Sequence, residues 1–338
     1  MMAVRSHAAG EPIRLEEVPI PNPAGTEVRL AVEGCGVCRT DLHIVNTDLV
    51  RVRRPVTLGH EISGRIEAVG EDSIEPMTAL GLAIGDHVVV AGDWGCGTCE
   101  SCSTGDEHGC ALRESPGLKR DGGFAEYLLV PHPRHLVPLG AELDPRHCAP
   151  LADAGLTPWR AIRRALPWLD GGRALVIGSG GLGQFAVQYL RRLGDVEVLV
   201  ADVDPIKRQS AIDFGADAAV DLRDGAGDAL AGTIRVVFDF VGTDETLGQA
   251  AGLVARGGLI SLVGEAGGRL SFGFRQLAVE ASVTTTSWGT KRELEEVVQL
   301  ARAGEMRWET ELVPLTQANE ALERLAAGDV SGRLVLVP

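Results

Sequence analysis

The stretch ALVIGSGGLGQF, residues 174–185, decides the fold of the second half of this chain. Its first four residues are apolar and predict a buried strand, and the segment from Leu182 to Leu193 predicts a helix that ends at Gly194. Between them, three glycines form the pattern G-x-G-x-x-G, and an acidic residue, Asp202, ends the next predicted strand. A glycine-rich turn in this context, followed by an acidic residue about 20 positions further on, predicts a dinucleotide-binding unit.

Each part of this pattern has a role in binding a dinucleotide. The first glycine permits a tight turn, the second lets the pyrophosphate approach the backbone, and the third allows close helix packing. Exposed amides at the start of the helix bind phosphate groups. The Asp202 carboxylate would accept hydrogen bonds from the adenosine ribose and repel a 2′-phosphate, which favours NAD over NADP. Lys207 is either a further ribose contact or a solvated helix residue. The candidate NAD-binding residues here are Gly178, Gly180, Gly181, Leu182, Gly183, Asp202 and Lys207.

Outward from this motif, the chain divides into two kinds of pattern. Strands and helices alternate across residues 151–304, which predicts a doubly wound parallel sheet. Thr290 and Glu293 have the form of a capping box at the start of the last of these helices. Residues 1–150 alternate short apolar runs with glycine and proline, which predicts an irregular, β-rich, barrel-like domain. The tail, 305–338, either extends the parallel sheet or folds back onto the first domain, and we expect the second arrangement.

Composition and charge exclude several classes of protein. The chain has 338 residues, of which 45% are hydrophobic and 23% charged, as is typical of a globular protein of about two domains. No segment approaches the ~20 apolar residues of a membrane span, and the N-terminus has no apolar signal core, so we expect a cytoplasmic protein. The net charge is −15 and both halves are acidic, which argues against nucleic acid or an anionic membrane as partner. We expect the short cluster Arg51, Arg53 and Arg54 to be a solvated loop.

The cysteines indicate a metal-binding first half. All seven Cys and all eight His precede residue 150, and in a reducing compartment clustered cysteines favour metal binding or catalysis over disulfides. The run Cys96-x2-Cys99-x2-Cys102-x7-Cys110 places four thiolates within fifteen residues, enough to surround one tetrahedral ion completely. A site with no open position is structural. We expect zinc, although an iron–sulfur cluster uses the same ligands.

A second candidate metal site combines two segments, GVCRTDLH at 36–43 and LGHEISG at 58–64. Cys38 and His60 are ligand types suited to zinc, and Glu61 adjoins the histidine. Each segment alone is a weak signal, because a single Cys or His is more often a packed residue than a ligand. Their occurrence with the four-cysteine loop and the nucleotide motif favours metal binding.

Taken together, these motifs resemble those of the zinc-dependent medium-chain alcohol dehydrogenase family. The similarity covers essentially the whole chain: GCGVCRTDLH, TLGHEISGRIEAVG, the four-cysteine loop, PLADAGLTPWRAI, VIGSGGLGQ and SGRLVLVP. It looks most like bacterial NAD-dependent secondary alcohol dehydrogenases, which carry a segment similar to WGTKRELEE at 288–296. The resemblance implies an α/β fold with a GroES-like β-rich catalytic domain, 1–150 plus 305–338, and a Rossmann dinucleotide-binding domain, 151–304.

The resemblance also implies two zinc ions per chain, one structural and one catalytic, with NAD as cofactor. Cys38 and His60 become catalytic zinc ligands, and Asp153 takes the place of the third, where many relatives have cysteine. Glu61 matches a residue that contacts the zinc ligands or an exchangeable fourth ligand, and Asp41 matches the carboxylate that orients the histidine.

Further site residues follow from the same resemblance. Thr40 and His43 match a proton relay from the substrate hydroxyl, with a surface position as the alternative for His43. Arg39 matches a pyrophosphate contact, and Arg333 is either a phosphate contact or a surface residue. Trp94 and Trp288 either wall the substrate pocket or are core aromatics, and Ser287 stands where some relatives carry a bulky aromatic residue. The two cysteines outside both clusters, Cys35 and Cys148, are expected to be buried thiols.

The sequence therefore predicts an oxidoreductase that transfers hydride between NAD(H) and an alcohol/carbonyl pair, with secondary alcohols and ketones as substrates. The resemblance implies a homo-oligomer, a dimer or tetramer. Three other interpretations stay open: a dehydrogenase for polyols, a reductase for imines or alkenals, and a nucleotide-binding module without turnover. An open metal site beside Thr40 argues against the last, because a binding module has no use for it.

Overall fold

The computed structural model describes residues 1–47 and 52–338, which form two compact units. The first unit consists of Met1–Leu156 and Trp288–Pro338, and the second of Thr157–Ser287. Of the short basic cluster, Arg51 lies outside the described residues, Arg53 is exposed, and Arg54 donates a hydrogen bond to the Ile44 carbonyl at 2.6 Å.

Short strands dominate the first part of the chain. The elements up to residue 148 are β1 (Met2–Ser6), β2 (Arg14–Glu17), β3 (Val28–Gly36), α1 (Arg39–Asn46), β4 (Val56–Thr57), β5 (Glu61–Val69), α2 (Ile74–Ala79), β6 (His87–Val90), α3 (Glu100–Ser103), β7 (Tyr127–Val130), β8 (Leu136–Pro138) and α4 (Pro145–Cys148).

Strands and helices then alternate. These elements are α5 (Leu156–Ala165), β9 (Arg173–Ile177), α6 (Gly183–Arg192), β10 (Glu197–Ala201), α7 (Pro205–Asp213), β11 (Ala218–Val220), α8 (Ala226–Leu230), β12 (Ile234–Asp239), α9 (Asp244–Leu253), β13 (Val254–Leu262) and β14 (Ser282–Thr285). The chain ends with α10 (Lys291–Arg302), β15 (Thr310–Pro314), α11 (Ala318–Ala327) and β16 (Arg333–Val337).

The second unit is built on one six-stranded sheet in the order β11-β10-β9-β12-β13-β14, with every pair parallel. This order reverses beside β9, as in dinucleotide-binding folds. Its central strands are continuous apolar runs because helices cover both faces of such a sheet, and Leu175, Val198 and Val237 are at most 6% exposed. The predicted α/β class, a GroES-like β-rich part plus a Rossmann parallel sheet, is confirmed.

The first unit holds a three-stranded sheet, β2-β1-β4, and a seven-stranded sheet in which β15, β16, β3, β5, β6 and β8 follow one another and β7 pairs with β3. The C-terminal strand β16 pairs antiparallel with β3, so that Leu336 lies opposite Cys35. The tail thus folds back onto the first part of the chain instead of extending the parallel sheet.

The bounds of the compact units differ from those of the predicted domains. The predicted domains, 1–150 with 305–338 and 151–304, stay a prediction. The difference is largest at α10, which lies in the first unit and packs on β8. Its start has the predicted capping box: the Thr290 hydroxyl accepts a hydrogen bond from the Glu293 amide at 3.2 Å, and the Glu293 carboxylate accepts one from the Thr290 amide at 2.8 Å.

Across residues 1–47 and 52–338, no helix has the length and apolar character needed to cross a membrane.

Candidate metal and nucleotide sites

Four cysteines in the segment between β6 and β7 converge on one point. Their sulfur atoms all lie within 4.8 Å of one another. The Cys102 sulfur is 4.0 Å from that of Cys96 and 3.5 Å from that of Cys99, and the Cys96 amide donates to the Cys110 sulfur at 3.4 Å. Thiolates about 2.3 Å from one tetrahedral zinc ion lie about 3.8 Å apart, so the spacing fits a single ion. A [2Fe–2S] or [4Fe–4S] cluster fits less well, because its four thiolates are divided among two or four irons and do not all surround one ion.

The ionisation of these thiols also fits a metal site. Hydrogen bonds from Thr98 lower the pKa of the Cys96 thiol to about 6, whereas burial raises the pKa of the Cys102 thiol to about 12. Four thiolates this close repel one another, so a divalent cation is needed for all four to be charged together.

Two polar networks hold the cysteine segment in place. Glu107 accepts a hydrogen bond from Arg134 at 3.1 Å and lies 3.1 Å from the buried His135, while Arg134 also donates to the Gly95 carbonyl at 2.6 Å. In the other network, Asp93 binds His108 at 2.7 Å and Arg113 at 3.1 Å. The sequence analysis did not predict these networks. The residues are far apart in the chain and form no short motif.

A second cluster brings together Cys38, His60, Glu61 and Asp153, all buried, with ligand atoms within 4.8 Å of one another. Cys38 precedes α1, His60 and Glu61 stand at the start of β5, and Asp153 follows the 3-10 helix Ala149–Ala152. Asp153 Oδ2 is 3.7 Å from Cys38 Sγ and 3.6 Å from His60 Nε2. Tetrahedral zinc places neighbouring N, O and S ligands about 3.4–3.7 Å apart, so this donor set fits the ion.

Asp41 supports two members of this cluster from the first turn of α1. Its side chain is fully buried, and Oδ2 accepts a hydrogen bond from the Cys38 amide at 2.9 Å. Its other oxygen, Oδ1, lies 3.6 Å from Nδ1 of His60. A carboxylate on the far nitrogen of a metal-binding histidine orients the ring, which is the role that the resemblance implies for Asp41.

The fourth member, Glu61, forms a buried ion pair with Arg333 at the start of β16. Arg333 Nε donates to Glu61 Oε2 at 3.0 Å, Nη2 also binds the carboxylate, and Nη2 lies 3.9 Å from Asp153 Oδ2. Burial raises the pKa of Glu61, and the charge of Arg333 opposes that rise. A side chain at Gly36 would clash with this carboxylate. Arg333 is 4% exposed, so it is not the surface arginine that the sequence left possible.

Three predicted site residues lie on the first turns of α1. Thr40 Oγ1 is 3.7 Å from the Cys38 sulfur, and His43 lies one turn further on, half-buried. Residues three positions apart in a helix share a face, so Thr40 and His43 can act on the same proton path. Arg39 is exposed at the first residue of the helix. Its pyrophosphate contact stays a prediction.

Trp288 stands beside the second metal cluster. Its ring centre is 5.9 Å from that of His60, in an edge-on arrangement. A Cβ atom at Gly92 would lie 3.1 Å from this indole, so Gly92 leaves room for it. The Trp288 backbone has φ 45°, a left-handed conformation that is unusual for a bulky residue and costs of order 1–3 kcal/mol. Such strain is often found at functional sites.

Trp94, the other predicted pocket residue, is 3% exposed and belongs to the hydrophobic core of the first unit. Its indole nitrogen donates to the Ala91 carbonyl at 2.9 Å, and its ring lies 6.2 Å from that of His135. Trp94 is therefore a core aromatic, the alternative to a pocket residue that the sequence left open. Cys35 and Cys148 are both buried.

In the second unit, the glycine-rich turn has the geometry that the motif predicts. Gly178 has φ 88°, which favours glycine, and a Cβ at Gly183 would clash with the Gly178 carbonyl. Nothing lies within 4 Å of a Cβ placed on Gly180, so that side of the turn is open. Gly181 and Leu182 complete the turn before α6. The open backbone beside a helix start fits a dinucleotide pyrophosphate.

Asp202 follows β10 at the carboxyl edge of the parallel sheet. Its Oδ2 accepts a hydrogen bond from the Ser179 amide at 2.8 Å, and its Oδ1 accepts one from the Asp204 amide at 2.9 Å. Each carboxylate oxygen has two acceptor sites, so one on each remains for ribose hydroxyls. Lys207 lies on α7 with its ammonium 4.0 Å from Asp204. Asp202 therefore both shapes the glycine turn and can still accept hydrogen bonds from the hydroxyls of a ribose.

Comparisons with known proteins identify the family of this chain. Residues 24–141 match the family described as alcohol dehydrogenase GroES-like domain, and residues 181–303 match the family described as zinc-binding dehydrogenase. A D-arabinose 1-dehydrogenase (NADP(+)) of Saccharolobus solfataricus is 36% identical, with 99% of this chain and 98% of the relative aligned. An NAD-dependent alcohol dehydrogenase of Sulfurisphaera tokodaii is 33% identical over the full length of both chains.

Among solved structures, the alcohol dehydrogenase from Aeropyrum pernix has a TM-score of 0.93 and 36% identity, with both chains covered completely. The D-arabinose dehydrogenase from Sulfolobus solfataricus has a TM-score of 0.82 and 34% identity, with 95% of each chain covered. The similarity to both structures therefore covers nearly the whole of this chain.

Proposed function

This chain belongs to the zinc-containing medium-chain alcohol dehydrogenase family, and we propose that it oxidises secondary alcohols to ketones with NAD and, in the reverse direction, reduces ketones with NADH. The enzyme class, an NAD-dependent alcohol dehydrogenase, follows from the family, and the secondary-alcohol preference is the proposed part. The observation that carries the proposal is the buried cluster of Cys38, His60 and Asp153, whose donor atoms match the spacing of zinc ligands.

In this proposal Cys38, His60 and Asp153 hold the catalytic zinc, and the four-cysteine segment holds the structural one. Zinc, when bound, polarises the oxygen of the alcohol or carbonyl as a Lewis acid. Asp41 orients His60 by a carboxylate–imidazole contact. Glu61 remains in its buried ion pair with Arg333. The positive charge of Arg333 offsets the negative charge that Glu61 would otherwise add beside the three zinc ligands.

Thr40 and His43 are assigned to a proton relay: the Thr40 hydroxyl would take the hydroxyl proton of the substrate while releasing its own proton towards His43, which would deliver a proton to water. The hydroxyl of Thr40 lies beside the Cys38 sulfur, and the two relay residues share one face of α1. Histidine is a common proton shuttle in proteins. NAD, when bound, would supply the hydride acceptor, and Asp202 would hold its ribose.

The test of the proposed function is metal analysis of the purified protein followed by NADH-linked rates on primary, secondary and polyhydroxy alcohols and on aldoses. We expect about two zinc ions per chain. We also expect faster oxidation of secondary than of primary alcohols, and a preference for NAD over NADP. One zinc and no turnover on any alcohol, ketone or sugar would rule the proposal out.

A second candidate, a sugar dehydrogenase, is favoured by one observation: a relative that is 36% identical over 99% of this chain is named for D-arabinose and NADP(+). The same panel separates the two candidates. A kcat/KM for D-arabinose above that for every simple secondary alcohol would support the sugar dehydrogenase and contradict our preference.

Trp288 gives a test of substrate size. Replacing Trp288 by alanine removes the ring beside His60, so we expect the ratio of kcat/KM for a bulky aryl ketone over acetone to rise about tenfold or more. Trp168→Ala, a half-buried tryptophan in the second unit, is the matched control and should leave the ratio unchanged. An equal effect of both substitutions, or none, would contradict a pocket role for Trp288.

A further inference from the structure

A cluster of charged side chains lies at the carboxyl edge of the parallel sheet, beside the predicted ribose site. Asp221 follows β11, and the neighbouring strand β10 ends just before Asp202. The Asp202 amide donates to the Val220 carbonyl at 3.2 Å, so the two aspartates stand at adjacent strand ends. Val203, which follows Asp202, is 59% exposed, so the edge is open to a ligand.

Asp221 binds two arginines. Arg223 donates to it from Nη2 at 2.7 Å and from Nε at 3.0 Å, and its amide donates at 3.0 Å. The guanidinium of Arg208, on α7, lies 3.7 Å from Asp221 Oδ2. The hydrogen bonds from Arg223, together with the charges of both arginines, hold the pKa of Asp221 at about 2, so it is ionised at neutral pH.

Arg208 is the arginine closer to the ribose site. Its Nη1 donates to the backbone carbonyl of Asp202 at 2.8 Å, so the guanidinium is fixed within reach of the residue that would bind the ribose. An arginine in this position is the usual partner of the 2′-phosphate of NADP. Here its charge is opposed by Asp221, which is only 8% exposed in its side chain and therefore poorly screened by water.

The charges at this edge balance. Lys207 lies 4.0 Å from Asp204, Arg208 and Arg223 lie 3.7 Å and 2.7 Å from Asp221, and Asp202 adds a third negative charge. A 2′-phosphate, with a charge of about −1.5 to −2, would meet no uncompensated cation here. A ribose with a free 2′-hydroxyl needs none.

We propose that Asp221 is a specificity-determining residue for the cofactor: by holding Arg208, it keeps this arginine from binding a 2′-phosphate and so makes the site selective for NAD. The inference rests on the proposed function, since it concerns the cofactor site of that enzyme. Asp202 rejects the phosphate by direct repulsion. Asp221 acts indirectly, by holding the arginine that would otherwise attract the phosphate.

The test is Asp221→Asn in the full-length protein, with dissociation constants for NAD⁺ and NADP⁺ measured by calorimetry without substrate. Asparagine keeps an oxygen for the Arg223 amide and removes the charge that opposes Arg208. We expect the ratio of the NADP⁺ to the NAD⁺ constant to fall about tenfold, chiefly through tighter NADP⁺ binding, because one charge-assisted hydrogen bond is gained. An unchanged ratio, or equal weakening of both cofactors, would overturn the proposal.

Two further variants identify the arginine and remove general charge effects. The double variant Asp221→Asn with Arg208→Gln should not show the tighter NADP⁺ binding expected of Asp221→Asn. If the double variant kept that tighter binding, the role of Arg208 would be overturned. Asp217→Asn removes a negative charge that pairs with Arg191 at the opposite end of the same strand, and it should leave the ratio unchanged. A similar shift in Asp217→Asn would assign the effect to net charge and overturn the proposal.

Arg208→Gln by itself tests the proposal without relying on the folding of the Asp221 variant. While Asp221 holds Arg208, replacing this arginine should change the dissociation constant for NADP⁺ less than twofold. NADP⁺ binding weaker by tenfold or more would show that Arg208 already binds the phosphate and would overturn the proposal. If the wild-type protein bound neither cofactor, both the proposed function and this inference would fail. Preferential NAD⁺ binding with no response to Asp221→Asn would overturn the inference alone.

Discussion

The variant Cys38→Ala is expected to lose one zinc ion per chain and nearly all alcohol dehydrogenase activity while keeping its fold. Cys38 supplies the only sulfur of the buried cluster with His60, Glu61 and Asp153. Metal polarisation of the substrate oxygen contributes several kcal/mol to the transition state, and each 1.36 kcal/mol is tenfold in rate, so we expect kcat/KM to fall about a thousandfold or more. Metal analysis and steady-state rates measure the two effects.

The control for this variant is Cys148→Ala, which removes a buried thiol outside both metal clusters. It should keep about two zinc ions and near wild-type rates, with a small loss of stability from the cavity. If Cys38→Ala retained two zinc ions, or if its rate stayed within tenfold of the wild type, Cys38 would not be a ligand of the catalytic metal.

The second large effect is expected from Cys102→Ala in the four-cysteine segment. The Cys102 sulfur lies within 4.0 Å of those of Cys96 and Cys99, so its loss opens the site and leaves three thiolates that repel one another. Structural zinc sites supply folding free energy directly, about 10–16 kcal/mol in small zinc peptides. We expect a fall in Tm of about 10 °C or more, since 1 kcal/mol corresponds to about 2–4 °C in a unit of this size.

Limited proteolysis locates the damage. Arg113 is tied to Asp93 in the intact segment, at 3.1 Å, so trypsin should cut there only when the segment opens. We expect early cleavage at Arg113 in Cys102→Ala and none in Cys38→Ala or Cys148→Ala. Unchanged Tm and unchanged cleavage in Cys102→Ala would contradict a structural metal at this site.

The two cysteine variants together separate the roles of the two clusters. Cys38→Ala should reduce activity far more than stability, and Cys102→Ala should reduce stability first. This contrast has a physical basis, because a closed four-thiolate site crosslinks one segment of chain, whereas a site with an open position serves the substrate.

Local patterns predicted the parts of this protein that depend on neighbours in the chain. The helix after the glycine turn was predicted from Leu182 to Leu193 and runs from Gly183 to Arg192. The capping box of Thr290 and Glu293 is formed as predicted. In each case the interaction joins residues three to five positions apart, so that the sequence pattern contains the whole geometry.

Long-range contacts could not be read in this way. The sequence allowed Arg333 to be a surface residue or a phosphate contact; it is buried and pairs with Glu61, 272 positions away in the chain, and its phosphate contact stays a prediction. Trp94 was predicted to wall the substrate pocket, with the core as the alternative, and its burial places it in the core. The anchor of the cysteine segment, Glu107 with Arg134 and His135, has no sequence signature.

The sequence by itself determined the ligand chemistry: which residues are soft donors, where the glycine turn stands, and that both metal clusters draw on the first half of the chain and the residues just after it. Only the tertiary structure decided which charges meet. Pairing of β16 with β3 brings Arg333 to Glu61, and pairing of β10 with β11 brings Asp221 to Arg208. The reason is that strand order in a sheet depends on packing across the whole core, which no local pattern encodes, while electrostatic interactions act between whatever side chains that packing brings close.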